Sequence, residues 1–494
     1  MLVLNALYTF PGRLSQVLAV VSGLLTALSD GMQYGWTSPM TSVLLAPTSP
    51  IDASEKDIVF LELIYMVGGI CGIPLTIYML DKVGRKNTML ISAAESLIAW
   101  IMIGTSTSLA LLYVARFIAG FAADVNFVTA PVYIAEISDK HIRGRLGSII
   151  YIMMMMGILL IYCIGPYVSI AASSLVGVGI LTVQLFTFSF MPETPYYYLI
   201  KHQKEEARKS LQMFRTTNNV DEELDEIEEI VQKENLERGK ISDLFTVKSN
   251  LKAVLIMTVL NTAQHFSGIT VMFMNLHMIL EDAASILSAN AAAITFSSVM
   301  LVSCTVAGCI IDKLGRKILL YTSSFLTGIS LLILAVYFTV KIQGVNISTF
   351  NWVPIFAVML YALTYKYGLG LVPIVLTAEI FPTNVKAYGV TYADLIYVVA
   401  GMISVVIFHV LQSNFGMDVP FYLFGCCCML TCLYSILVIP ETKGKTLYEI
   451  QNILKGKNAI KLDVVSNNHS NEKSQSFALS SSIDNALNYG TNKY

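Results

Sequence analysis

The sequence predicts an all-α membrane protein whose twelve transmembrane helices form two six-helix halves. The 494 residues are 55% hydrophobic and only 13% charged, with a mean hydropathy of +0.64. About a quarter of the residues in a soluble protein are charged, so much of this chain must lie in a solvent other than water. The charged segment 81–86 (DKVGRK) returns almost unchanged at 312–317 (DKLGRK), which indicates that one structural plan occurs twice.

The apolar segments have the length that a membrane-spanning helix needs. Crossing roughly 30 Å of hydrocarbon takes about 20 helical residues, and the chain contains many runs of this length with few charges. The predicted spans are residues 14–40, 58–80, 88–107, 109–134, 146–169, 170–191, 251–280, 287–311, 318–340, 352–379, 387–412 and 419–439.

The distribution of basic residues predicts that both termini are cytoplasmic. With the amino terminus inside, nearly all of the 32 Lys and Arg residues lie in or beside the inner loops. The outer loops then hold only Lys56 and Lys341. This asymmetry follows the positive-inside rule. Because a shifted span count would destroy it, the count and the orientation support each other.

Three cytoplasmic markers recur in the same order and suggest the domain boundaries. Besides the DK-GRK segments, Glu136 with a basic residue seven positions later recurs at Glu379, and the PET sequence at 192–194 recurs at 440–442. The predicted regions are an N-terminal six-helix bundle (1–199), cytoplasmic linker helices (200–250), a C-terminal six-helix bundle (251–445) and a largely disordered cytoplasmic tail (446–494).

A duplicated helical bundle is typical of secondary transporters, which place one site near the membrane midplane between their halves. The six histidines are scattered, and neither a metal-ligand cluster nor a nucleophile–base pair emerges. We therefore expect no enzyme, no metal and no other cofactor. A channel is less favoured, because a duplicated channel would be expected to repeat a pore segment, whereas this sequence repeats a cytoplasmic segment. The expected partners are a small-molecule substrate and the lipid bilayer, with no nucleic acid, and the protein is expected to function as a monomer.

Charged residues on the cytoplasmic face are expected to form a gate. Gly84 and Gly315 can adopt the left-handed conformation that ends a helix. Carboxylates and cations that join the halves on this face would stabilise the state open to the other face. The alternative is that the basic residues are only topology anchors. The predicted gate residues are Asp81, Arg85, Glu136, Arg143, Glu193, Asp312, Arg316, Glu379, Lys386 and Glu441.

These markers, together with residues 264–268 (QHFSG), 379–382 (EIFP) and 440–450 (PETKGKTLYEI), resemble the sugar porters of the major facilitator superfamily. Residues 36–39 (WTSP) look most like the insect facilitated trehalose transporters. The resemblance covers about residues 15–450 and implies the fold of that superfamily and an alternating-access carrier. Lys386 stands where the family usually has arginine, so bidentate pairing with a carboxylate is lost.

The resemblance also implies a sugar site that is altered in its chemistry. Sugars need amides, hydroxyls and aromatic faces around a wet cavity. His265 replaces the second amide of a family pair, and Ile374 replaces a tryptophan. Tyr151 and Tyr397 would each offer an aromatic face and one hydroxyl, and core packing is the alternative role for both. The substrate-binding residues implied are Gln264, His265, Thr270, Tyr151, Ile374, Tyr397 and Lys366.

Lys366 is unusual because it lies near the middle of the tenth span, where the glucose transporters carry a glutamate. A charge at that depth is costly and usually faces a partner or a water-filled path. The candidate partners are Asp394 and Asp30. Lys366 then either binds an anionic group of the substrate or belongs to a structural ion pair.

The resulting interpretation is a facilitative carrier of trehalose or a hexose in the plasma membrane. Thr37 occupies the first-span position where proton-coupled sugar porters keep an aspartate, which favours facilitated diffusion. The alternatives are a carrier for another small organic solute, whether neutral or anionic, and a non-transporting sugar sensor with the same fold. Asn346 begins a glycosylation sequon on a predicted outer loop.

Overall fold

The computed structural model describes residues 12–455 except 48, 50, 140–141, 216–218, 237–238, 281–286, 346–349 and 446. Twelve helices in the described part are long and apolar enough to cross a membrane, and each matches a predicted span. The predicted sequon at Asn346 and the predicted tail beyond residue 455 lie outside the described residues. The spans are Arg13–Gly35, Glu55–Lys82, Arg85–Gly104, Leu109–Ile137, Arg143–Tyr167, Ile170–Phe188, Lys248–Leu280, Ala289–Gly308, Arg316–Ile342, Val353–Thr377, Lys386–Phe415 and Asp418–Leu437. Spans one to six are called the N half below, and spans seven to twelve the C half.

Two spans of the C half are broken within the membrane. The seventh consists of Lys248–His265 and Ile269–Leu280, and Gly268 between them has a φ of +81°. The tenth consists of Val353–Tyr367 and Val372–Ile380. Breaks of this kind are tolerated at membrane depth only where the freed backbone groups are buried in protein or line a cavity, and they are common at the binding sites of transporters.

Neighbouring spans approach closely where both carry glycine. A Cβ atom added to Gly31 in the first span would lie 2.0 Å from the carbonyl oxygen of Met154 in the fifth. A Cβ added to Gly157 in the fifth span would lie 1.9 Å from the carbonyl oxygen of Leu28. Lipid tails are as apolar as the side chains, so the hydrophobic effect does not hold helices together in the membrane. Close packing of this kind supplies van der Waals contacts that do.

Short helices connect the two halves on one face of the bundle. This face, which the sequence predicts to be cytoplasmic, is called the cytoplasmic face below, and the opposite face is called the outer face. The short helices pack on the N half, where Ser15 Oγ donates to the carbonyl of Met213 at 2.8 Å and Arg215 donates to the carbonyl of Ile137 at 3.0 Å. The connection reaches the C half where the backbone N–H of Gly239 donates to the carbonyl of Asn384. These helices are Pro195–Ile200, Lys204–Phe214, Asp221–Leu236 and Asp243–Thr246, and one further helix, Leu447–Leu454, follows the last span.

The two glycine hinges have a conformation different from the one expected. Gly84 has φ 99° and ψ 164°, and Gly315 has φ 92° and ψ 159°. These angles lie in the extended region at positive φ, which only glycine readily adopts. Each glycine also caps the start of the following helix. A Cβ at Gly84 would lie 2.4 Å from Glu193 Oε2, and a Cβ at Gly315 would lie 2.6 Å from Glu441 Oε2.

Replacing either hinge glycine with alanine is expected to destabilise the protein strongly. The variants Gly84→Ala and Gly315→Ala combine backbone strain of about 1–3 kcal/mol with displacement of a glutamate. Gly344→Ala is the matched control, because Gly344 also has a positive φ of +74° but no atom lies within 4 Å of the added Cβ. Thermal unfolding of the purified proteins should show clearly larger losses for the hinge variants. Equal losses in all three would mean that the glutamate contacts contribute nothing.

Candidate transport pathway and gates

The duplicated cytoplasmic markers build the same side-chain cluster in each half. In the N half, the guanidinium of Arg85 lies 2.9 Å from Glu136 Oε1, and Thr194 Oγ1 donates to Glu136 Oε2 at 2.6 Å. In the C half, Arg316 lies 2.8 Å from Glu379 Oε1. The equivalent hydroxyl, that of Thr442, donates to Glu379 at 2.6 Å. The repeat in the sequence is therefore a repeat in contacts.

A second glutamate in each cluster binds the start of a helix. The backbone N–H of Lys86 donates to Glu193 Oε2 at 2.9 Å. Glu441 receives the backbone N–H groups of Arg316 and Lys317 at 3.0 and 3.1 Å. A carboxylate at this position satisfies unpaired amide groups and complements the positive end of the helix dipole. Each half is thereby tied together across three separate chain segments.

The remaining predicted gate residues are exposed where the structure describes their side chains. Arg143 is exposed at the start of the fifth span. Asp81 and Lys386 are also exposed, and each takes part in an interaction. The side chain of Asp312 lies outside the described residues. The ion pairs of Arg85 and Arg316 each lie within one half, whereas the sequence suggested a network between the halves.

The two helix-binding glutamates differ in their electrostatic environment. Burial raises the pKa of Glu193, and the N–H groups that it accepts offset this only in part. For Glu441, burial again acts to raise the pKa, but backbone donors from Lys443, Arg316, Lys317 and Thr442 together outweigh it, so the pKa is lowered. The folded state therefore stabilises the charged form of Glu441 and disfavours that of Glu193.

At neutral pH, Glu441→Gln is expected to lower the unfolding temperature more than Glu193→Gln does. A lowered pKa contributes stability above the unfolded-state pKa, and this contribution disappears as the pH falls through the folded-state pKa. A raised pKa has the opposite sign, so Glu193 adds stability only as it becomes protonated. Melting curves of both variants at neutral and acidic pH test this. Matching losses at neutral pH, or a Glu441→Gln loss that grows in acid, would contradict it.

The halves contact each other at their outer ends. The Tyr34 hydroxyl of the first span donates to Thr270 Oγ1 of the seventh at 3.0 Å. Ser38 Oγ lies 2.8 Å from His277 Nδ1. The Tyr162 hydroxyl donates to the carbonyl of Phe273 at 2.6 Å. These side chains follow or lie in the outer parts of their spans, so they close the outer side of the bundle.

A fourth outer contact joins the second and eleventh spans. His409 Nε2 lies 3.2 Å from Glu62 Oε2, and the Glu62 side chain is fully buried. Both residues lie several turns from the cytoplasmic ends of their helices. This pair was not predicted from the sequence, although a glutamate inside a span is a recognisable signal of a specific contact.

Removing the Tyr34 hydroxyl is expected to loosen the outer closure. A lost hydrogen bond of about 1 kcal/mol would raise the ratio of outward-open to outward-closed protein by roughly fivefold. The measurement is the rate at which a membrane-impermeant maleimide labels a cysteine at Ala27, a buried residue of the central cavity. Tyr113→Phe is the control, because Tyr113 makes its outer hydrogen bond to Asp57 within the N half. Equal labelling in Tyr34→Phe, Tyr113→Phe and the parent would remove Tyr34 from the gate.

A cavity of about 110 Å³ lies between the halves, inward of these contacts. Both halves contribute to its wall, and its polar lining comes mainly from tyrosine hydroxyls, carboxyls, one amide and one imidazole. Ligand sites commonly measure about 300–1,000 Å³, so in this conformation the cavity is smaller than a typical ligand site. The polar and aromatic lining residues are Asp30, Tyr34, Tyr65, Asp124, Asn126, Phe127, His265, Asp394 and Tyr397.

His265 and Tyr397 are the predicted substrate residues that line this cavity. Their rings pack edge to face with centroids 4.1 Å apart. His265 Nδ1 lies 2.7 Å from Thr270 Oγ1, whose hydroxyl already accepts from Tyr34. The Thr270 hydroxyl keeps its own hydrogen available for Nδ1, and this arrangement corresponds to the tautomer that carries its hydrogen on Nε2. His265 Nε2 is buried and has no hydrogen-bond partner among the described residues.

The other predicted substrate residues stand farther back. Gln264 donates to the carbonyl of Leu369 at 3.0 Å and so supports the break in the tenth span. Tyr151 packs edge to face on Phe127, with ring centroids 6.2 Å apart, and thus lies behind a lining residue. Ile374 is half-buried and is not part of the cavity wall.

Lys366 does not pair with either of the partners expected for it. Its side chain is buried, and it makes no ion pair within the described part of the chain. Asp30 instead accepts from the amide of Asn126 at 2.9 Å. Asp394 lies within hydrogen-bonding reach of Asp124. The expectation failed because a sequence cannot show which acid of the bundle faces a given lysine.

Sequence reasoning missed most of the acidic lining of the cavity. The sequence predicted Asp30 and Asp394 as partners of Lys366 and not as lining residues, and it gave no role to Asp124. The signal was present, because an ionisable residue inside a span is functional by default. Among the described residues, no group of three or more His, Cys, Asp or Glu side chains is placed to hold a metal ion.

Comparisons with known proteins agree with this architecture. A family model described as "Sugar (and other) transporter" matches residues 16–454. The chain is 31% identical to "Facilitated trehalose transporter Tret1" of Apis mellifera ligustica, covering 89% of this chain and 88% of that protein. It is 30% identical to the protein of the same name from Culex quinquefasciatus, covering 90% and 86%. All of these are named as transporters and none as an enzyme.

Solved structures with the same fold are also sugar porters. The proton:xylose symporter XylE bound to 6-bromo-6-deoxy-D-glucose superposes with a TM-score of 0.70 at 22% identity, covering 89% of this chain and 98% of that one. The inward-open xylose transporter XylE from E. coli gives a TM-score of 0.71 with the same identity and coverage. At this level of identity the likeness shows the fold, which is that of the major facilitator superfamily.

Proposed function

This chain belongs to the sugar transporter family, and from that premise we propose that it carries trehalose or a hexose across the plasma membrane by facilitated diffusion. The observation that supports a sugar is the hydrogen-bonded series Tyr34–Thr270–His265 at the cavity. It holds the imidazole with an unpartnered Nε2 on the side where a substrate hydroxyl can accept. The relatives named as trehalose transporters support the choice of sugar.

The proposed mechanism is alternating access between two rigid halves. The cytoplasmic clusters hold each half together, whereas the outer contacts of Tyr34, Ser38 and Glu62 join one half to the other. Opening to the outside then breaks a small set of hydrogen bonds between the halves and leaves the clusters intact. We propose that the predicted gate residues act in this way, as supports of the moving bodies as well as contacts on the inner face.

Facilitated diffusion is favoured by the first span. Thr37 begins the short helix Thr37–Leu44 that follows this span, at the position where proton-coupled porters are expected to keep an aspartate. It is fully buried, and its hydroxyl has no hydrogen-bond partner among the described residues. We further propose that both termini are cytoplasmic, in line with the basic inner loops, and that a single chain is sufficient for transport.

A second candidate is a carrier of a small organic anion. The observation in its favour is Lys366, a buried cation in the broken tenth span that makes no ion pair with another described residue. An anionic substrate would supply the missing charge at this depth. Lys366 is not part of the cavity wall in this conformation, so this candidate requires a rearrangement of the tenth span and ranks second.

Uptake by purified protein in vesicles distinguishes these candidates. We expect saturable exchange of labelled trehalose or a hexose, without an accompanying proton current, and no uptake of small carboxylates. His265→Ala should raise the KM for the sugar by up to about tenfold, because the loss of one hydrogen bond to the substrate costs about 1 kcal/mol. The control is His202→Ala, which changes a histidine outside the twelve spans.

Each alternative has its own result in the same assay. Uptake of carboxylates that Lys366→Gln abolishes would favour the anion carrier. Saturable sugar binding without uptake would favour a sensor. A sugar-dependent proton current would replace facilitated diffusion with symport.

A further inference from the structure

The contact between Asp124 and Asp394 is the remaining feature of the cavity that the transport of a sugar does not explain. Asp124 lies in the fourth span of the N half, and Asp394 lies in the eleventh span of the C half. Both line the cavity, and their carboxyl groups lie within hydrogen-bonding reach of each other. The fold brings them together although they belong to different halves, so any relative motion of the halves must act on this contact.

The second span packs beside this contact. A Cβ added to Gly72 would lie 3.5 Å from the Cβ of Asp124, and one added to Gly69 would lie 3.7 Å from Asp124 and from Val398 of the eleventh span. These are ordinary van der Waals distances, so the second span lies against both the fourth and the eleventh spans at the level of the pair. The carboxyl pair is thus part of the packing between the halves.

The pair lies on the cytoplasmic side of the outer contacts between the halves. The eleventh span runs outward from Lys386 to Phe415. On it, Asp394 precedes His409, the residue of the outer contact with Glu62, by fifteen positions. At about 1.5 Å per helical residue, the two contacts lie roughly 22 Å apart along this helix. A motion that opens the bundle toward the cytoplasm while the outer contacts stay closed would separate Asp124 from Asp394.

Two carboxyl groups at hydrogen-bonding distance cannot both carry a charge in a buried site. One must be protonated and donate to the other, as in pairs of acids that share one proton. Asp124 is only 7% exposed, and one oxygen of each carboxyl is buried without a partner. No lysine or arginine lines the described cavity wall. The cation behind it, Arg116, stacks on the ring of Tyr65 at 4.5 Å.

The other titratable groups around the pair have partners of their own or lack a formal charge. On the first span, Asp30 is held by Asn126, and Tyr34 is held by Thr270. His265 faces the cavity from the seventh span, and its Nδ1 lies 2.7 Å from Thr270 Oγ1. The remaining groups are Tyr65 on the second span, Tyr151 on the fifth, Cys304 on the eighth and Tyr397 on the eleventh. None of these can replace the proton between the two acids.

We infer that Asp124 and Asp394 form a proton-sharing latch between the halves, which holds the cavity closed toward the cytoplasm and opens when the shared proton is lost. With the proton, one carboxyl donates to the other and joins the halves. Without it, two carboxylates face each other and repel. Opening admits water to both groups and relieves the repulsion. Since the closed state binds one more proton than the open state, rising pH favours the inward-open state.

The distance between the cytoplasmic ends of the two halves tests this inference directly. Spin labels on cysteines at Arg145 and Ala387, both exposed and on opposite halves, report that distance in a full-length chain whose eight native cysteines are replaced by alanine. Between about pH 5.5 and about pH 8.5, the population with the longer distance should grow, by at most about tenfold per pH unit for one shared proton. The measurement needs no substrate.

Amide substitutions of the pair should remove the pH dependence. In Asp394→Asn, and equally in Asp124→Asn, the new amide donates permanently to the remaining carboxylate, so the short distance should persist at alkaline pH. Asp30→Asn is the matched control, because it changes another acid of the same cavity that is not in the pair. It should leave the pH response unchanged. If one amide variant cannot be purified, the other variant tests the same pair, because Asp124 and Asp394 lie in different halves.

Three results would overturn the latch. The first is a parent distance that does not change with pH. The second is a pH response that persists in Asp124→Asn and Asp394→Asn. The third is a response that Asp30→Asn abolishes, which would assign the proton to Asp30 instead.

Discussion

The contact that the rest of the structure depends on is the glutamate that binds the start of a helix across a glycine hinge, which occurs once in each half. At Gly84 and Gly315 the missing Cβ leaves room for the carboxylate of Glu193 or Glu441. The neighbouring ion pairs of Arg85 with Glu136 and of Arg316 with Glu379 complete the clusters. The two halves can move against each other as units only if each half is rigid. These clusters make each half rigid at the cytoplasmic ends of its spans.

The contacts between the halves are of a different kind. At the outer ends they are mostly hydrogen bonds of hydroxyl groups, such as those of Tyr34 and Tyr162. A neutral hydrogen bond exchanges with water at a net cost of only about 1 kcal/mol, so several of them can close a gate and still release it. The ion pairs inside each half are far less easily replaced, because separating them exposes buried charge. The division between strong internal contacts and weak external ones is what alternating access requires.

The sequence predicted the fold well because span length, charge distribution and the repeated markers are local properties. It predicted the cavity less well. His265 and Tyr397 line it, but Gln264 supports the break at Leu369 and Lys366 is paired with neither Asp30 nor Asp394. Those outcomes depend on how two distant segments rotate about their helix axes, which hydrophobic periodicity cannot determine when a helix is apolar on nearly all sides.

A proton held between the halves is compatible with facilitated diffusion of a sugar. A proton shifts the equilibrium between two conformations only if it binds one of them more tightly than the other. Here that difference in affinity changes how often the cavity faces the cytoplasm. Accumulation of substrate would require in addition that the proton cross the membrane whenever the sugar does. Asp124 and Asp394 release their proton when the halves part on the cytoplasmic side, and the same side returns it when they close. The proton then regulates the cycle without driving it.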